Sequence, residues 1–365
     1  MRIYLDWNAT TPPLPAVLDA MRDAGASAWG NPSSVHGDGR AAAKLVEEAR
    51  AAIAELAGAD ARDVVFTSGG TEANNLALRS ALERPGRLLV SRLEHPSVTR
   101  IAEAHPARTR WLAVTADGVV DLADLERALA EAPVAAVAMQ SVNHETGVIQ
   151  PVADAIALVN TRAPGTWFHV DAVQSFGKID DVSFGATTRS LAAHKLRGPK
   201  GIGALVVLPR TKLSPVLLGG AQERGIRPGT LDGALAAGFA VAARHALGGP
   251  ARYSAVAKLR DALEAALVAL GAEVNGRAAR APHVTNVHVP TWYGPELVAA
   301  FDLEGVSVAS GSACSAGTLD PSPVIEAMFD RSRAARSVRL SLGDATTDAD
   351  VRRATEVFRL VLGRS

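Results

Sequence analysis

The sequence predicts an α/β fold, with a mainly parallel sheet in a large first domain and a smaller α+β domain after it. Short apolar runs alternate with helical patterns as far as the LGGP segment at 247–250, and this alternation is typical of parallel sheets. Polar residues follow the predicted strand ends, at 68–71, 94–95, 143–145 and 171–174. Because open α/β sheets bind ligands at the carboxyl ends of their strands, we expect a site there.

The individual elements follow from local patterns. Strands are predicted at 63–67, 87–95, 134–141, 167–175, 201–208, 283–289 and 337–342. Helices are predicted at 38–57, from near Thr71, and at 121–131, 151–160, 253–270 and 347–363. Gly58 and Asp121 are the expected caps of two of these helices, and Pro151 is expected in the first turn of another. We divide the chain into a segment that joins the small domain (1–15), a large domain (16–248) and a small C-terminal domain (249–365).

Composition excludes several classes of protein. The 365 residues carry 38 Lys plus Arg and 38 Asp plus Glu, and zero net charge argues against direct binding to nucleic acid through phosphate contacts. No stretch reaches the ~20 consecutive apolar residues of a membrane span, and the first residues lack the apolar core of a signal peptide. The single cysteine, Cys314, cannot form an internal disulfide or a cysteine-based metal site by itself. We therefore expect a cytoplasmic protein with no resident metal.

Two motifs at predicted strand ends suggest a ligand that carries both a negative and a positive group. The segment 68–72 (SGGTE) joins a strand to a helix, where free amides and a hydroxyl suit a phosphate, although such a turn is often only a turn. Asp171 ends a hydrophobic strand, where a carboxylate is costly unless it is paired. It is either a helix cap or ion-pair partner, or the counter-charge of a protonated heteroaromatic nitrogen such as that of pyridoxal phosphate.

The chain has only six lysines, which restricts the search for a lysine that could form a Schiff base. Two are expected on solvated helix faces and two in loops: Lys44 and Lys258, and Lys178 and Lys212. Of the remaining two, Lys200 and Lys195, the latter follows His194, a possible phosphate ligand, in a crowded Gly-rich segment. A buried lysine has a lowered pKa and can form a Schiff base. The alternative is a surface lysine in a hairpin.

Cys314 lies in a run of small residues, 306–323, that cannot bury it well. Free cysteines are usually buried and inert, whereas this setting predicts an accessible thiol that could act as a nucleophile. A chance surface thiol is the alternative.

Four arginines, at 331, 333, 336 and 339, form a basic run. We expect a solvated face, with one arginine turned inward to hold a carboxylate.

Taken in order, the motifs resemble those of the NifS/IscS-type cysteine desulfurases, fold-type I pyridoxal phosphate enzymes of the class V aminotransferase superfamily. The resemblance runs nearly end to end. It is carried by YLDWNATTP, GNPSSVHGDGR, FTSGGTEANNLAL, LEHPSV, NHETGVIQP, HVDAVQSFGK, AHKLRGPKGIGAL, GGAQERGIRPGT, SGSACSAGTLDPS and SVRLSLG. It implies a seven-stranded, mainly parallel sheet in the large domain, pyridoxal phosphate as cofactor and a homodimer.

The resemblance also implies roles for individual residues. Lys195 would bind the cofactor covalently, Asp171 would pair with its ring nitrogen, and Gln174 would contact its phenolate oxygen. The phosphate would be held by Gly70, Thr71 and His194, together with Thr230 of the second subunit. His95 would stack on the ring, and His144 would also contact the cofactor. The substrate carboxylate would be held by Asn31, Asn143 and Arg339.

The implied reaction converts L-cysteine to L-alanine. Lys195 would remove the Cα proton, and the Cys314 thiolate would attack the substrate sulfur and become a persulfide. The sulfur would then pass to an acceptor protein or an iron–sulfur scaffold, for cluster assembly or thiolation. The alternatives are another class V enzyme, such as a selenocysteine or cystine lyase or an aminotransferase, or a non-catalytic paralogue that binds a sulfur-transfer partner.

Three positions depart from the family pattern. His144 replaces a second asparagine that contacts the phenolate oxygen in the family, and Ala192 replaces a serine that binds phosphate. Without that serine, one hydrogen bond to a charged group, worth ~1.5–3 kcal/mol, is missing. At Phe329 the chain lacks a glycine and a longer insert. We therefore predict a functional but weaker cofactor site.

Overall fold

The structure, a computed structural model, describes residues 2–311 and 320–363. Its largest sheet has seven strands in the spatial order β2-β8-β7-β6-β5-β3-β4. They are β2 (Val64–Thr67), β3 (Arg87–Ser91), β4 (Thr109–Leu112), β5 (Val134–Gln140), β6 (Trp167–Asp171), β7 (Thr188–Ala192) and β8 (Gly203–Val207). Only β8 runs against the others, since both of its neighbours pair with it antiparallel. The predicted mainly parallel sheet of seven strands is confirmed.

Helices connect these strands and cover the sheet. They are α1 (Pro15–Ser27), α2 (Gly37–Ala57), α3 (Gly70–Leu82), α4 (Pro96–Ala104), α5 (Leu122–Glu131), α6 (Val152–Arg162) and α7 (Gly233–Leu247). The predicted caps are found: Gly58 ends α2 with φ 58°, and the Asp121 side chain accepts from the Ala123 amide at the start of α5. Pro151 is the N-cap of α6 and not part of its first turn.

Two predicted strands extend four residues too far at their carboxyl ends, because side chains there start turns. The strand predicted at 87–95 ends at Ser91, whose hydroxyl accepts from the Leu93 amide. The strand predicted at 167–175 ends at Asp171, whose Oδ1 accepts from the Val173 amide. Side chains that bond to the backbone two residues on favour turns over strands. Both early ends lie at the edge of the sheet that forms the site.

Most of the remaining elements form a second apolar core. A three-stranded antiparallel sheet contains β9 (Glu273–Val274), β10 (Val284–His288) and β12 (Ser337–Ser341), and β1 (Ile3–Tyr4) pairs with β11 (Val306–Ser307). The helices of this core are α8 (Gly249–Val268), α9 (Gly294–Leu303) and α12 (Asp348–Leu362). Two short helices, α10 (Pro323–Met328) and α11 (Arg331–Ala334), pack instead into the core of the large sheet. Ile3 and Leu5 pack into this core; the domain boundaries at 15/16 and 248/249 stay a prediction. No helix in the described ranges is long and apolar enough to cross a membrane.

Candidate active site

A cavity of about 190 Å³ lies at the carboxyl ends of β5, β6 and β7, beside the first turn of α3. Nine of the predicted site residues line it: Gly70, Thr71, His95, His144, Asp171, Gln174, His194, Lys195 and Arg339. They come from segments that are up to about 270 positions apart in the sequence. The fold therefore gathers most of the predicted chemistry at the sheet edge where polar residues cluster.

One end of the cavity suits an anion. The chain turns from β2 into α3 through Gly69 and Gly70, so the first amides of α3 face the cavity side of the sheet. A Cβ on Gly70 would lie 2.7 Å from Val173 Cγ2, so only glycine fits there without a shift. His194 contributes a ring whose Nδ1 lies 3.1 Å from Thr10 Oγ1. Burial, with the nearby Lys195, lowers the pKa of His194 to about 3, so its ring is neutral.

Asp171 provides a buried carboxylate at the end of β6. Its Oδ2 accepts from Asn74 Nδ2 at 2.7 Å, and its Oδ1 accepts from the Val173 amide at 3.1 Å. Asn74 is oriented in turn by His169, whose Nε2 lies 2.9 Å from Asn74 Oδ1. These donors fix the carboxylate in one orientation at the cavity. Asp171 is therefore built to meet a cation in the cavity.

Lys195 ends the short helical turn that follows β7. Because β7 pairs with β6, this turn lies at the strand end next to the one that carries Asp171. Its Nζ donates to the carbonyl oxygens of Ala9, at 2.8 Å, and of Asn8. These carbonyls belong to the N-terminal segment, which crosses the site beside Gln174. Backbone acceptors of this segment thus hold the lysine at the cavity.

Two histidines cover another side of the cavity. The rings of His95 and His144 meet edge to face, with centroids 5.3 Å apart and planes at 74°. Burial lowers the pKa of His95, and lowers that of His144 well below its usual value. His95 is fixed as the N-cap of α4, where its Nδ1 accepts from the Ser97 amide. Neutral imidazoles of this kind can both accept and donate protons.

Arg339, on β12, lines the cavity from the side of the second core. Its side chain is 2% exposed, and its Nε has no hydrogen-bond partner among the described residues. An orphaned, buried guanidinium N–H is costly and points to a missing anionic partner. Arg339 is the most buried member of the basic run: Arg333 is partly buried, with its Nε donating to Asn275 Oδ1 at 2.6 Å, and Arg331 is exposed.

Three predicted residues lie away from the cavity lining. Asn143 is buried, and its Oδ1 accepts from both the backbone amide and the hydroxyl of Thr146, so it shapes the turn after β5. Asn31 and Thr230 are exposed on the chain. Cys314 lies outside the described residues.

Sequence reasoning missed several residues that build the site. In the sequence, Asn74 is marked only by its place one helical turn after Gly70, and Asn8 is only a residue of a predicted loop. Lys178 lies in a turn, as expected, but it is 2% exposed. Within the described ranges, no three His, Cys, Asp or Glu side chains are grouped to hold a metal ion.

Comparison with known proteins gives a consistent picture. The chain matches the aminotransferase class-V family over residues 3–354. It is 40% identical to a cysteine desulfurase of Cereibacter sphaeroides over 372 residues, which cover 98% of this chain and 95% of that protein. The solved structure of a NifS-like protein superposes with a TM-score of 0.92 at 30% identity, and all of both chains is covered. The structure of SspA in complex with cysteine superposes with a TM-score of 0.81 at 30% identity, covering 94% of this chain and all of that one.

Proposed function

This chain belongs to the aminotransferase class-V family, and from that premise we propose how its cavity carries out the chemistry of a cysteine desulfurase. It is a pyridoxal-phosphate-dependent cysteine desulfurase, an enzyme that releases sulfur from L-cysteine and leaves L-alanine. The observation that carries the proposed mechanism is that Lys195 and Asp171 line the same cavity, beyond the ends of two neighbouring strands.

The residues present fit pyridoxal phosphate. Gly70 has no Cβ, which lets the first turn of α3 approach Val173 closely, and with Thr71 and neutral His194 it would hold the phosphate. Asp171, a hydrogen-bonded carboxylate, would hold a protonated ring nitrogen. When bound, the cofactor supplies an electron sink for charge that develops at the substrate Cα.

Lys195 is the proposed base. Its ε-amino group would take the proton from the substrate Cα and return a proton later in the reaction. The carbonyl oxygens of Asn8 and Ala9 accept from Nζ and so hold it at the cavity. Asp171, held in place by the donors from Asn74 and Val173, would pair with the ring nitrogen and keep it protonated.

Arg339 would hold the carboxylate of L-cysteine. Its Nε, which has no hydrogen-bond partner in the described part of the chain, is the donor that a substrate oxygen would satisfy. His95, kept neutral by burial, would cover the ring and exchange protons with the substrate thiol. Because Nδ1 accepts from the Ser97 amide, the neutral ring carries its hydrogen on Nε2, and this is the proton that it can donate and later recover.

We further propose a homodimer in which Thr230 and Asn31 serve the partner's cavity. Both are exposed on the single chain, and their neighbours Ser33 and Leu231 line one and the same second cavity of about 430 Å³. Large apolar side chains lie exposed near them in sequence: Trp29 (74%), Val35 (88%) and Leu218 (92%). Large apolar side chains that a single chain leaves this exposed are ones that a subunit interface would cover.

Cys314 is the proposed sulfur acceptor. It is the only cysteine among 365 residues, so no second thiol of the chain can take the sulfur from a persulfide on it. The sulfur would leave to another protein, such as an iron–sulfur scaffold or a thiolation carrier. Since the sequence cannot form an internal disulfide, a reducing compartment such as the cytoplasm suits it.

A mass measurement tests this proposal. The purified enzyme is loaded with pyridoxal phosphate and given L-cysteine, and intact mass and free alanine are measured together. We expect a gain of one sulfur on Cys314, alanine in matching amount, and neither product with Cys314→Ala in the absence of another thiol. Lys195→Ala should give no alanine. Sulfur release that survives Cys314→Ala would instead indicate a lyase.

A further inference from the structure

Lys178 is a buried cation that the proposed mechanism does not use. Its side chain is 2% exposed and is among the largest fully buried side chains. None of the described carboxylates lies within ion-pairing distance of its Nζ. An ammonium removed from water without a counter-charge is costly, so packing alone does not explain a lysine at this position.

The Lys178 ammonium donates to the side-chain amide of Gln174. Nζ lies 3.0 Å from Gln174 Oε1, and on the other side of the same amide Nε2 donates to the Asn8 carbonyl at 3.0 Å. The geometry is set by Gly177, which has φ 66° and would place a Cβ 2.6 Å from Ala246 Cβ. This close approach to α7 turns the chain so that Lys178 points back under Gln174.

The chemistry of these groups fixes the amide in one orientation. An ammonium has only donors, so it can face only the oxygen of an amide, and the Asn8 carbonyl can face only the nitrogen. The amide nitrogen carries two hydrogens, and Asn8 takes one of them. Gln174 lines the cavity, and the second N–H is the donor that its amide can offer to a ligand there.

We propose that Lys178 is a positioning residue that locks the Gln174 amide so that its second N–H donates to the phenolate oxygen of bound pyridoxal phosphate. This inference rests on the proposed function. Were the amide reversed, its oxygen would face an anionic oxygen, and a hydrogen bond would be replaced by repulsion.

The charge of Lys178 is consistent with this role. Burial, with the neighbouring Lys195, lowers the pKa of Lys178 to about 7. A bound anionic cofactor acts in the opposite direction, because nearby negative charge favours the ammonium form. The cofactor and the locked amide therefore stabilise each other.

A double-mutant cycle tests the inference. Lys178→Met, Gln174→Ala and the double variant are compared with wild type for the dissociation constant of pyridoxal phosphate and for the absorption spectrum of the bound cofactor. We expect Lys178→Met to weaken binding about fivefold to 20-fold and to shift the spectrum towards that of Gln174→Ala. When Lys178→Met is made on top of Gln174→Ala, it should have little effect on either quantity, because coupled residues are not additive. Lys258→Met, a lysine at the surface of α8, is the matched control.

The outcomes separate this inference from the proposed function. Wild-type protein that does not bind pyridoxal phosphate would refute the proposed function. Two outcomes would refute the inference alone. In the first, Gln174→Ala weakens the binding of pyridoxal phosphate but Lys178→Met leaves it unchanged. In the second, Lys178→Met weakens this binding equally in wild type and in Gln174→Ala. Thermal unfolding of each cofactor-free variant shows whether it folds. If Lys178→Met does not fold, Lys178→Gln is used with the same expectation of coupling, because its amide can donate or accept and so no longer fixes the orientation of Gln174.

Discussion

Arg339 Nη2 lies 2.6 Å from Asp6 Oδ1, which joins β12 to the N-terminal segment beside the cavity. Its Nη1 donates to the carbonyl of His144 at 3.0 Å. Two of the three guanidinium nitrogens are thus occupied before a substrate arrives, and the side chain is fixed in one orientation. A substrate carboxylate therefore meets a preorganised donor, and binding does not require the guanidinium to be ordered first.

The first prediction concerns Arg339→Lys. A lysine has the same charge, but it cannot bond to Asp6, to the His144 carbonyl and to a substrate oxygen in the planar arrangement of arginine. We expect KM for L-cysteine to rise about 10- to 100-fold, which corresponds to about 1.4–3 kcal/mol, with the affinity for pyridoxal phosphate nearly unchanged. Steady-state kinetics measure the change, and Arg336→Lys, at the surface, is the control. An unchanged KM would show that the carboxylate is held elsewhere.

The sequence predicts those parts of the site that depend on local signals. Lys195 and Asp171 stand out because a scarce lysine and a strand-end carboxylate are unusual where they occur. The partners that orient them are not predictable in this way, because they are distant in the chain. Asn74 is 97 residues from Asp171, and Asn8 is 166 residues from Gln174. Neither asparagine has a local pattern that marks it, and their positions follow from how β6, α3 and the N-terminal segment pack.

The burial of Lys178 illustrates the same limit. Its neighbours, a glycine and a short polar run, indicate a turn, and turns are usually exposed. The turn is buried because α7 packs over Gly177, a contact with residue 246. Two predicted strands extend too far for a related reason: the side chains of Ser91 and Asp171 accept hydrogen bonds from the backbone just beyond them.

The second prediction is that Ala192→Ser tightens cofactor binding. Ala192 is the last residue of β7, is 2% exposed and lines the cavity beside Gly70. A hydroxyl there would add one hydrogen bond to a charged phosphate, worth ~1.5 kcal/mol, or about tenfold in the dissociation constant. Equilibrium titration with pyridoxal phosphate measures it. Ala193→Ser, which adds the same group one residue outside the lining, should give no such gain; equal effects of the two variants would contradict the prediction.

The third prediction uses the contact between Gly70 and Val173. A methyl group in Gly70→Ala would lie 2.7 Å from Val173 Cγ2, so the turn before α3 must move away from the segment that follows Asp171. We expect pyridoxal phosphate to bind about tenfold to 100-fold more weakly, because overpacking costs ~1–3 kcal/mol. Val173→Ala removes the opposing methyl and should restore most of the affinity in the double variant. Loss that persists in the double variant would mean that the turn itself, and not this contact, requires glycine.

The fourth prediction concerns acid stability and His169. This residue is fully buried, with Nδ1 3.0 Å from Thr188 Oγ1 and Nε2 2.9 Å from Asn74 Oδ1. Burial lowers its pKa to about 4, against about 6.5 in an unfolded chain. Between these values the unfolded chain binds a proton and the folded one does not, so stability falls as pH falls from about 6.5 to about 4. Above this window His169 is neutral in both states and makes no pH-dependent contribution.

Comparing wild type with His169→Gln isolates this effect, since glutamine does not titrate and the other histidines are common to both proteins. We expect the variant to be less stable at neutral pH, and its deficit to shrink by about 3 kcal/mol as pH is lowered to about 4. Denaturant unfolding of the cofactor-free protein across this range measures the difference, and the exposed His36→Gln serves as control. A deficit that stays constant with pH would mean that His169 takes up its proton in the folded state as readily as in the unfolded one. Its bond to Asn74, and through it the orientation of Asp171, would then not depend on a neutral ring.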